Sequence, residues 1–450
     1  KGGQGRGELV MAARGGGLAL RSVKQLHLDG LALAGAQRPA WPALDVSFNV
    51  GADYTVAGWQ SEVSGMTVRT ATKPILLLDA KVGKLQGPGE ALKTAGKVSA
   101  DLPPLWQFAG QEPAGALAAG TASMEFVASF GARQEIQATV KVRELAALLE
   151  GKVQALPAVT ADVRADVGAA GEITVDAPVV IEHAGRTSDL RVVGAVGPEQ
   201  GGTRSVDGTV TSEHLVLDDA RILGALWAVE PTSSRADRRP AAPRAPWAGW
   251  HGALALQLKR VVWLNTLEMT QVGGRVRLDA GAVKFETVQA GFTGNGLAQI
   301  EGELRFDPIA VARYGLAATV VLREFNPGPL LQQIQGGQPP TVEGPFEVVS
   351  RLRAKGAAME DLPMALTGEV QVTSKGGLFR GLPVEAGNLA ETSSRIAAFI
   401  TSAGAALGAL TGRRDYLDVA NKAEAVAELA RSLSAIRFDQ LSARLSRDEA

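Results

Sequence analysis

The chain has 450 residues, no cysteine, and 46 basic against 47 acidic side chains, for a net charge of −1. Disulfides and thiolate metal sites are therefore excluded, and there is no global field to draw in nucleic acid or anionic headgroups. Hydrophobic residues make up 46%, aromatics only 5%, and glycines number 53, which suits many tight turns joining strands faced with Val, Leu, Ile and Ala.

No run of about 18 apolar residues occurs, so no membrane-spanning helix is expected within these residues. The chain opens on Lys1 without a signal-peptide pattern and closes on Arg447-Asp448-Glu449-Ala450, a few residues into a new strand. It is expected to be an internal fragment of a longer protein.

Residues 18–20 and 26–33 alternate apolar with polar or small side chains. Period two is the mark of a strand with one buried face. Asp29-Gly30 reads either as a turn dipeptide or as a kink within one strand. Segments 45–50, 63–69 and 75–78 continue the pattern, whereas 81–100 carries more turn signals than periodicity. Pro103-Pro104-Leu105-Trp106 predicts a short helical turn, with proline tolerated at its start. Strands are expected again at 122–127 and 135–140, another short helix at 144–150, and further strands at 173–175, 179–181, 190–193, 209–211 and 215–217.

Residues 233–247 hold Arg235, Arg238, Arg239 and Arg244 with Pro240, Pro243 and Pro246. Three prolines so close together cannot supply the hydrogen bonds of a central strand, so a surface linker is expected, solubilised by its arginines. From Leu254 the alternation is the cleanest in the chain, and Asn295-Gly296 marks a turn. Strands at this spacing predict an antiparallel meander rather than βαβ units. Residues 105–130 and 330–352 look weakly alike: a short helix, a Gly/Pro-rich turn, a glycine (Gly120, Gly344), then a strand. A second helical pattern follows Pro383, where Leu389, Ile396, Phe399, Ile400, Ala403, Leu407 and Leu410 form one stripe at three- and four-residue steps.

The fold class expected is mainly β: an elongated, twisted antiparallel sheet, either an open groove or a flattened sandwich or barrel-like closure, with an α-helical insertion near the C-terminus. The regions are 1–232 (β-rich, repeat-like), 233–249 (loop or linker), 250–383 (β-rich), 384–435 (helical) and 436–450 (the start of a further strand).

No catalytic constellation stands out. His27, His183, His214 and His251 are dispersed without metal-ligand spacing, and Glu213-His214 with Asp218 and Asp219 reads as a solvated turn. There is no Gly-x-Ser-x-Gly elbow. The glycine clusters near the start lack the spacing and context of a phosphate-binding loop. No enzyme activity, metal or cofactor is expected. The informative feature is distributed. A long sheet with one face of Leu, Val, Ile and Ala must cover that face with a second sheet, by closing on itself, or with an apolar ligand. An uncovered curved face would suit acyl chains, worth about 0.8 kcal/mol per buried methylene. An ordinary packed sandwich is the alternative.

One stretch carries a family resemblance. Leu322-Arg323-Glu324-Phe325-Asn326, Leu330-Leu331 and Gly344-Pro345-Phe346 are followed by Leu366-Thr367-Gly368-Glu369-Val370-Gln371-Val372 and Gly376-Gly377-Leu378-Phe379-Arg380-Gly381, and then by Ile436-x-Phe438. The pattern from 322 to 438 resembles the C-terminal region of AsmA-like proteins, the family with TamB- and YhdP-like members, and covers about a quarter of the chain. The resemblance implies a long, twisted β-sheet groove in the periplasm of a diderm bacterium, anchored in the inner membrane. It also implies a part in moving phospholipid towards the outer membrane or in envelope assembly. It offers no catalytic residues. The partners expected are phospholipids, the inner or outer membrane through parts outside these residues, and envelope proteins, with no nucleic acid. From alternation alone, the candidate lipid contacts are Leu254, Leu256, Leu258, Val276, Leu278, Val283, Phe285, Ile300 and Leu304. The helical stripe Leu389, Ile396, Phe399, Ile400, Leu407 and Leu410 caps the sheet or faces lipid or a partner. The competing expectation is a non-catalytic assembly scaffold that presents sheet edges to client proteins.

Overall fold

The structure, a computed structural model, describes residues 3–31, 43–71, 73–85, 91–108, 116–131, 133–149, 152–227, 245–263, 267–292, 294–334, 337, 339–362, 364–379 and 436–447. The chain divides into two compact units, Lys1–Arg238 and Arg239–Ala450. Among the described residues both are built almost wholly of strands. The helical segment expected at 384–435, with its stripe from Leu389 to Leu410, lies outside the described residues, as does most of the Arg/Pro-rich linker.

The first unit is an antiparallel meander of β1 (Gln4–Arg14), β2 (Gly17–Leu31), β3 (Leu44–Thr55), β4 (Gly58–Arg69), β5 (Pro74–Leu85), β6 (Leu92–Asp101), β7 (Ala116–Phe130), β8 (Gln134–Leu149), β9 (Lys152–Ala155), β10 (Ala158–Val167), β11 (Ile173–His183), β12 (Arg186–Val196) and β13 (Arg204–Ser212). Each strand pairs with its chain neighbour, and β8 pairs with both the short β9 and β10. Helix α1 (Leu102–Phe108) fills part of the β6–β7 connection. The two-residue strand β14 (Leu215–Val216) and helix α2 (Leu217–Trp227) follow β13.

The second unit repeats this plan with β15 (Trp250–Trp263), β16 (Leu267–Asp279), β17 (Ala282–Phe292), β18 (Leu297–Phe306) and β19 (Tyr314–Phe325). Helix α3 (Gly328–Ile334) and β20 (Val342–Glu343) lead to β21 (Phe346–Gly356) and β22 (Thr367–Ser374). The ladder runs β15-β16-β17-β18-β19-β21-β22. Strands β23 (Gly377–Phe379) and β24 (Ile436–Phe438) join β20 in a three-stranded sheet, and β25 (Leu441–Arg447) pairs with β22. Among the described residues neither ladder closes on itself, because β1 does not pair with β13 nor β15 with β25.

Alternation alone would not keep one face apolar along strands this long. Six β-bulges correct its phase. Gly30, Gly65, Glu144, Gln271, Thr287 and Glu324 have φ between 48 and 66°, and each sits at a register shift. At each the apolar positions jump by three instead of two: Leu28 to Leu31, Val63 to Met66, Val142 to Leu145, Met269 to Val272, Phe285 to Val288, Leu322 to Phe325. The extra residue absorbs the odd step, so later apolar side chains stay on the same face, and it adds right-handed twist. Left-handed backbone at a residue other than glycine costs about 1–2 kcal/mol, a cost that the retained apolar pairing must offset.

Two sequence expectations are corrected, the first by a bulge. Residues 144–150, expected to be helical, are mostly the end of β8. The phase slip at Glu144 gives Leu145, Leu148 and Leu149 a helix-like spacing while the backbone remains extended. Residues 81–100, expected to be rich in turns, hold the end of β5 and most of β6. The apolar face of β6 is partly built from small positions that give no periodic signal. A Cβ at Gly96 would lie 2.8 Å from the ring of Phe126, so the neighbouring strand supplies the bulk. The strand expected at 215–217 ends at Val216, where α2 begins.

The fully buried clusters lie at one end of each ladder. In the first unit Leu145, Ala147 and Leu156 pack with Leu102 of α1, Leu117, Val142, and Ile222 and Leu223 of α2. In the second unit Leu331 of α3 packs with Val342, Phe346 and Val372, with Val348, Val370, Phe438 and Leu441 around them. Helices α1 and α3 occupy equivalent places. Each follows a strand, and the chain returns through a glycine of positive φ, Gly120 at 151° and Gly344 at 132°. In both segments that look alike in sequence a strand leads into a short helix before the chain re-enters the sheet, with Gly120 inside β7 and Gly344 just before β21. A Cβ at Gly344 would lie 2.6 Å from the carbonyl oxygen of Gly376. Replacing Gly344 with Ala should destabilise the protein by about 1–3 kcal/mol from backbone strain alone, read as a lower midpoint in chemical denaturation, whereas Gly185→Ala, whose Cβ would meet nothing within 4 Å, should suffer strain without the clash.

Candidate apolar sheet faces

Register in the second unit brings all nine candidate lipid-contact residues onto one face of four adjacent strands. Leu254 pairs with Val276, Val276 with Phe285, and Phe285 with Gly302. The next row joins Leu278, Val283 and Leu304. Leu256 lies opposite Gly274, Leu258 opposite Val272, and Ile300 opposite Val288. The face continues through Leu316, Ala318 and Val320 of β19 into Ala354, Leu352 and Ser350 of β21. These side chains are neither core nor free surface. Most are half-buried and Ile300 is 38% exposed, against 3% for Phe346 in the end cluster. The opposite face of the same strands is charged, with Arg277 pairing with Glu286 at 3.3 Å and Lys284 lying between Asp279 at 3.2 Å and Glu303 at 3.9 Å.

The first unit presents a comparable face that alternation had not singled out. One row runs Leu78, Val98, Met124, Val140, Ala161, Val179, Leu190 across seven paired strands. The adjacent row runs Val63, Ala80, Gly96, Phe126, Ala138, Val163. The signal was present in the sequence, but its small residues diluted it. A hollow of about 1110 Å³ lies on the other, charged face, lined by Glu62, Lys81, Lys97, Glu125, Arg164 and Arg191 among others. Cross-strand pairs occupy most of these charges: Lys81–Glu62 at 3.3 Å, Lys97–Glu125 at 2.7 Å and Arg191–Asp176 at 2.6 Å. The hydrogen bond from Lys97 holds the Glu125 carboxyl below the usual carboxylate range, and that from Arg191 does the same for Asp176. These groups are exposed, so the pairs set cross-strand register more than they stabilise the fold.

The apolar face of the first unit ends in a polar knot. Ala184 and Gly185, both with positive φ, make the tight turn that sets His183 opposite Arg186. Both side chains reach one oxygen of Asp219: His183 Nδ1 lies 2.8 Å and Arg186 Nη2 2.9 Å from Oδ1. Asp219 is 1% exposed. Beside it, Asp189 accepts hydrogen bonds from the backbone N–H of Glu213 and His214, and Ser188 Oγ accepts one from Val216. The reading of Glu213-His214-Asp218-Asp219 as a solvated turn is thus corrected for Asp219, while Glu213 is exposed in a bend. Asp219 is buried because its partners come from a hairpin more than thirty residues upstream, a distance at which spacing carries no signal.

Among the described residues no group of three or more His, Asp or Glu could hold a metal ion, and no helix is long and apolar enough to cross a membrane. Comparison with protein-family models, with curated proteins and with solved structures finds no match. Removing Asp219 leaves His183 and Arg186 without the buried carboxylate they share. Asp219→Ala should cost about 3 kcal/mol, the low end for a broken buried pair because Arg186 is partly solvated. Arg6→Ala, which removes an ion pair to Asp29 from a side chain 74% exposed, should cost under about 1 kcal/mol. Denaturant midpoints of the two variants test the contrast.

Proposed function

We propose that the chain is a non-catalytic phospholipid-binding protein whose apolar sheet faces carry acyl chains while the headgroups stay in water. The observation that carries this reading is the continuous half-buried apolar face of β15–β18, extended through β19 and β21. Six or more neighbouring strands contribute to it, and no described element covers it as the end clusters are covered. Burying ten methylenes along such a face would supply on the order of 8 kcal/mol before ordering costs, with no specific polar contact required. The mechanism is passive: a chain slides between positions of nearly equal energy on a surface of branched aliphatic side chains. The resemblance of residues 322–438 to AsmA-like proteins supports placing this activity in the envelope of a diderm bacterium, in lipid transport between inner and outer membranes or in outer-membrane assembly.

The edge strand β1 favours a second reading, an assembly scaffold. Among the described strands it pairs only with β2, and it exposes Leu9, Val10 and Met11, a surface that a client strand could extend. The test is mass spectrometry of lipids that co-purify with the protein after gentle extraction. Phospholipid retained near stoichiometry by the wild type is expected to fall about tenfold or more in Leu256→Asp and Leu278→Asp, the equivalent of at least about 1.4 kcal/mol, because a carboxylate in the middle of the face must keep its water. A lipid-free, monodisperse wild type, or undiminished binding in both variants, would favour the scaffold.

A further inference from the structure

We propose that α2 is a gate over one end of the apolar face of the first unit and that Asp219 is its latch. This rests on the lipid-binding reading above and assigns its regulation. On β11, Val175, Val179 and Ile181 share the apolar face with His183; on β12, Ser188, Leu190 and Val192 share it with Arg186. The apolar surface therefore ends in an imidazole and a guanidinium. Helix α2 brings Asp219 to both, and one turn later Ile222 and Leu223 pack on Leu145, Ala147 and Leu156. At this end α2 thus makes one ionic contact and one apolar contact from a single 11-residue helix, beside Leu102 of α1, which packs on the same cluster. At the other end the fully described connections of β10 to β13 are hairpin turns, 168–172 and 197–203, without a helix.

A helix this short has little stability of its own and is held by its tertiary contacts. Its release is a local opening that leaves the strand ladder intact. Two features weight the balance towards opening. A buried ion pair recovers on solvation much of the Coulomb energy it loses, and Asp218 Oδ2 is buried at the start of the same helix without a hydrogen-bond partner among the described residues. Lifting α2 would remove Ile222 and Leu223 from Leu145, Ala147 and Leu156, which continue the face beyond Val142, and leave only Leu102 of α1 and Leu117 against them, widening the way for an acyl chain at that end.

The experiment measures hydrogen exchange of α2 and of β10–β12 in the whole chain without lipid. Alongside it, transfer of a fluorescent phosphatidylglycerol between vesicles is followed. Wild type is compared with Asp219→Asn, which keeps the shape and removes the charge, and with Ile222→Ala/Leu223→Ala, which loosens the apolar contact and leaves the carboxylate. In both variants exchange in α2 should rise about tenfold or more with β10–β12 still protected, and transfer should quicken several-fold. Faster exchange in α2 with unchanged transfer overturns the gate and leaves α2 a structural cap. Exchange rising together in α2 and β10–β12 also overturns it, since Asp219 would then belong to the hairpin's fold. A wild type that carries and transfers no lipid overturns the lipid-binding reading itself, and the gate with it, whatever the exchange rates.

Discussion

The constraint on which this structure depends is the phase of side-chain alternation along strands of ten to sixteen residues. A single uncorrected slip would turn every later side chain to the wrong face. Antiparallel pairing carries that error into the neighbouring strand. The six bulges hold the phase, and four of them do so with Glu144, Gln271, Thr287 and Glu324 rather than glycine. The chain accepts left-handed backbone at polar residues because the alternative is an apolar row facing the charged one. Their added twist also gives each ladder curvature, which a flat arrangement of the same pairs would lack.

With the phase held, the apolar surface is covered unevenly. At the ends, helices α1, α2 and α3 bring Leu102, Ile222, Leu223 and Leu331 down onto strand termini, and burial there is nearly complete. Along the middle the same aliphatic rows stay half-buried. Folding stability is thus concentrated where helices meet strands, while the intervening surface keeps part of its hydrophobic free energy unused. On the charged faces, ladders such as Glu62–Lys81 and Asp176–Arg191 discourage a second sheet from stacking, because stacking would strip water from both partners of each pair.

Much of this was legible in the residues. Strand after strand could be read from Val/Leu alternation, and the nine residues chosen from it in the second unit share one face by register. The short helix after Asp101 announced itself through Pro103-Pro104. The bulges are legible in retrospect: each falls where two polar or glycine residues interrupt the alternation, as at Arg143-Glu144 or Glu286-Thr287. Read without a partner strand, that interruption at Glu144 imitates a helix. What no local pattern could give is the meeting of His183, Arg186 and Asp219. It depends on a hairpin turn and on a helix start more than thirty residues apart. The face of the first unit was also faint, because Ala80, Gly96 and Ala138 leave the bulk to Phe126 and Met124 on neighbouring strands.

The meander itself has a consequence for growth. Nearly every ladder contact joins chain neighbours, so each hairpin needs only the one before it as a template. A pair of strands could be added or lost between existing hairpins without changing the direction, register or facing of any other strand. Loss of a single strand would reverse all that follow. Such a chain can vary in reach by whole hairpins while keeping one surface aliphatic, so its length is a quantity that selection can adjust separately from the chemistry of its face.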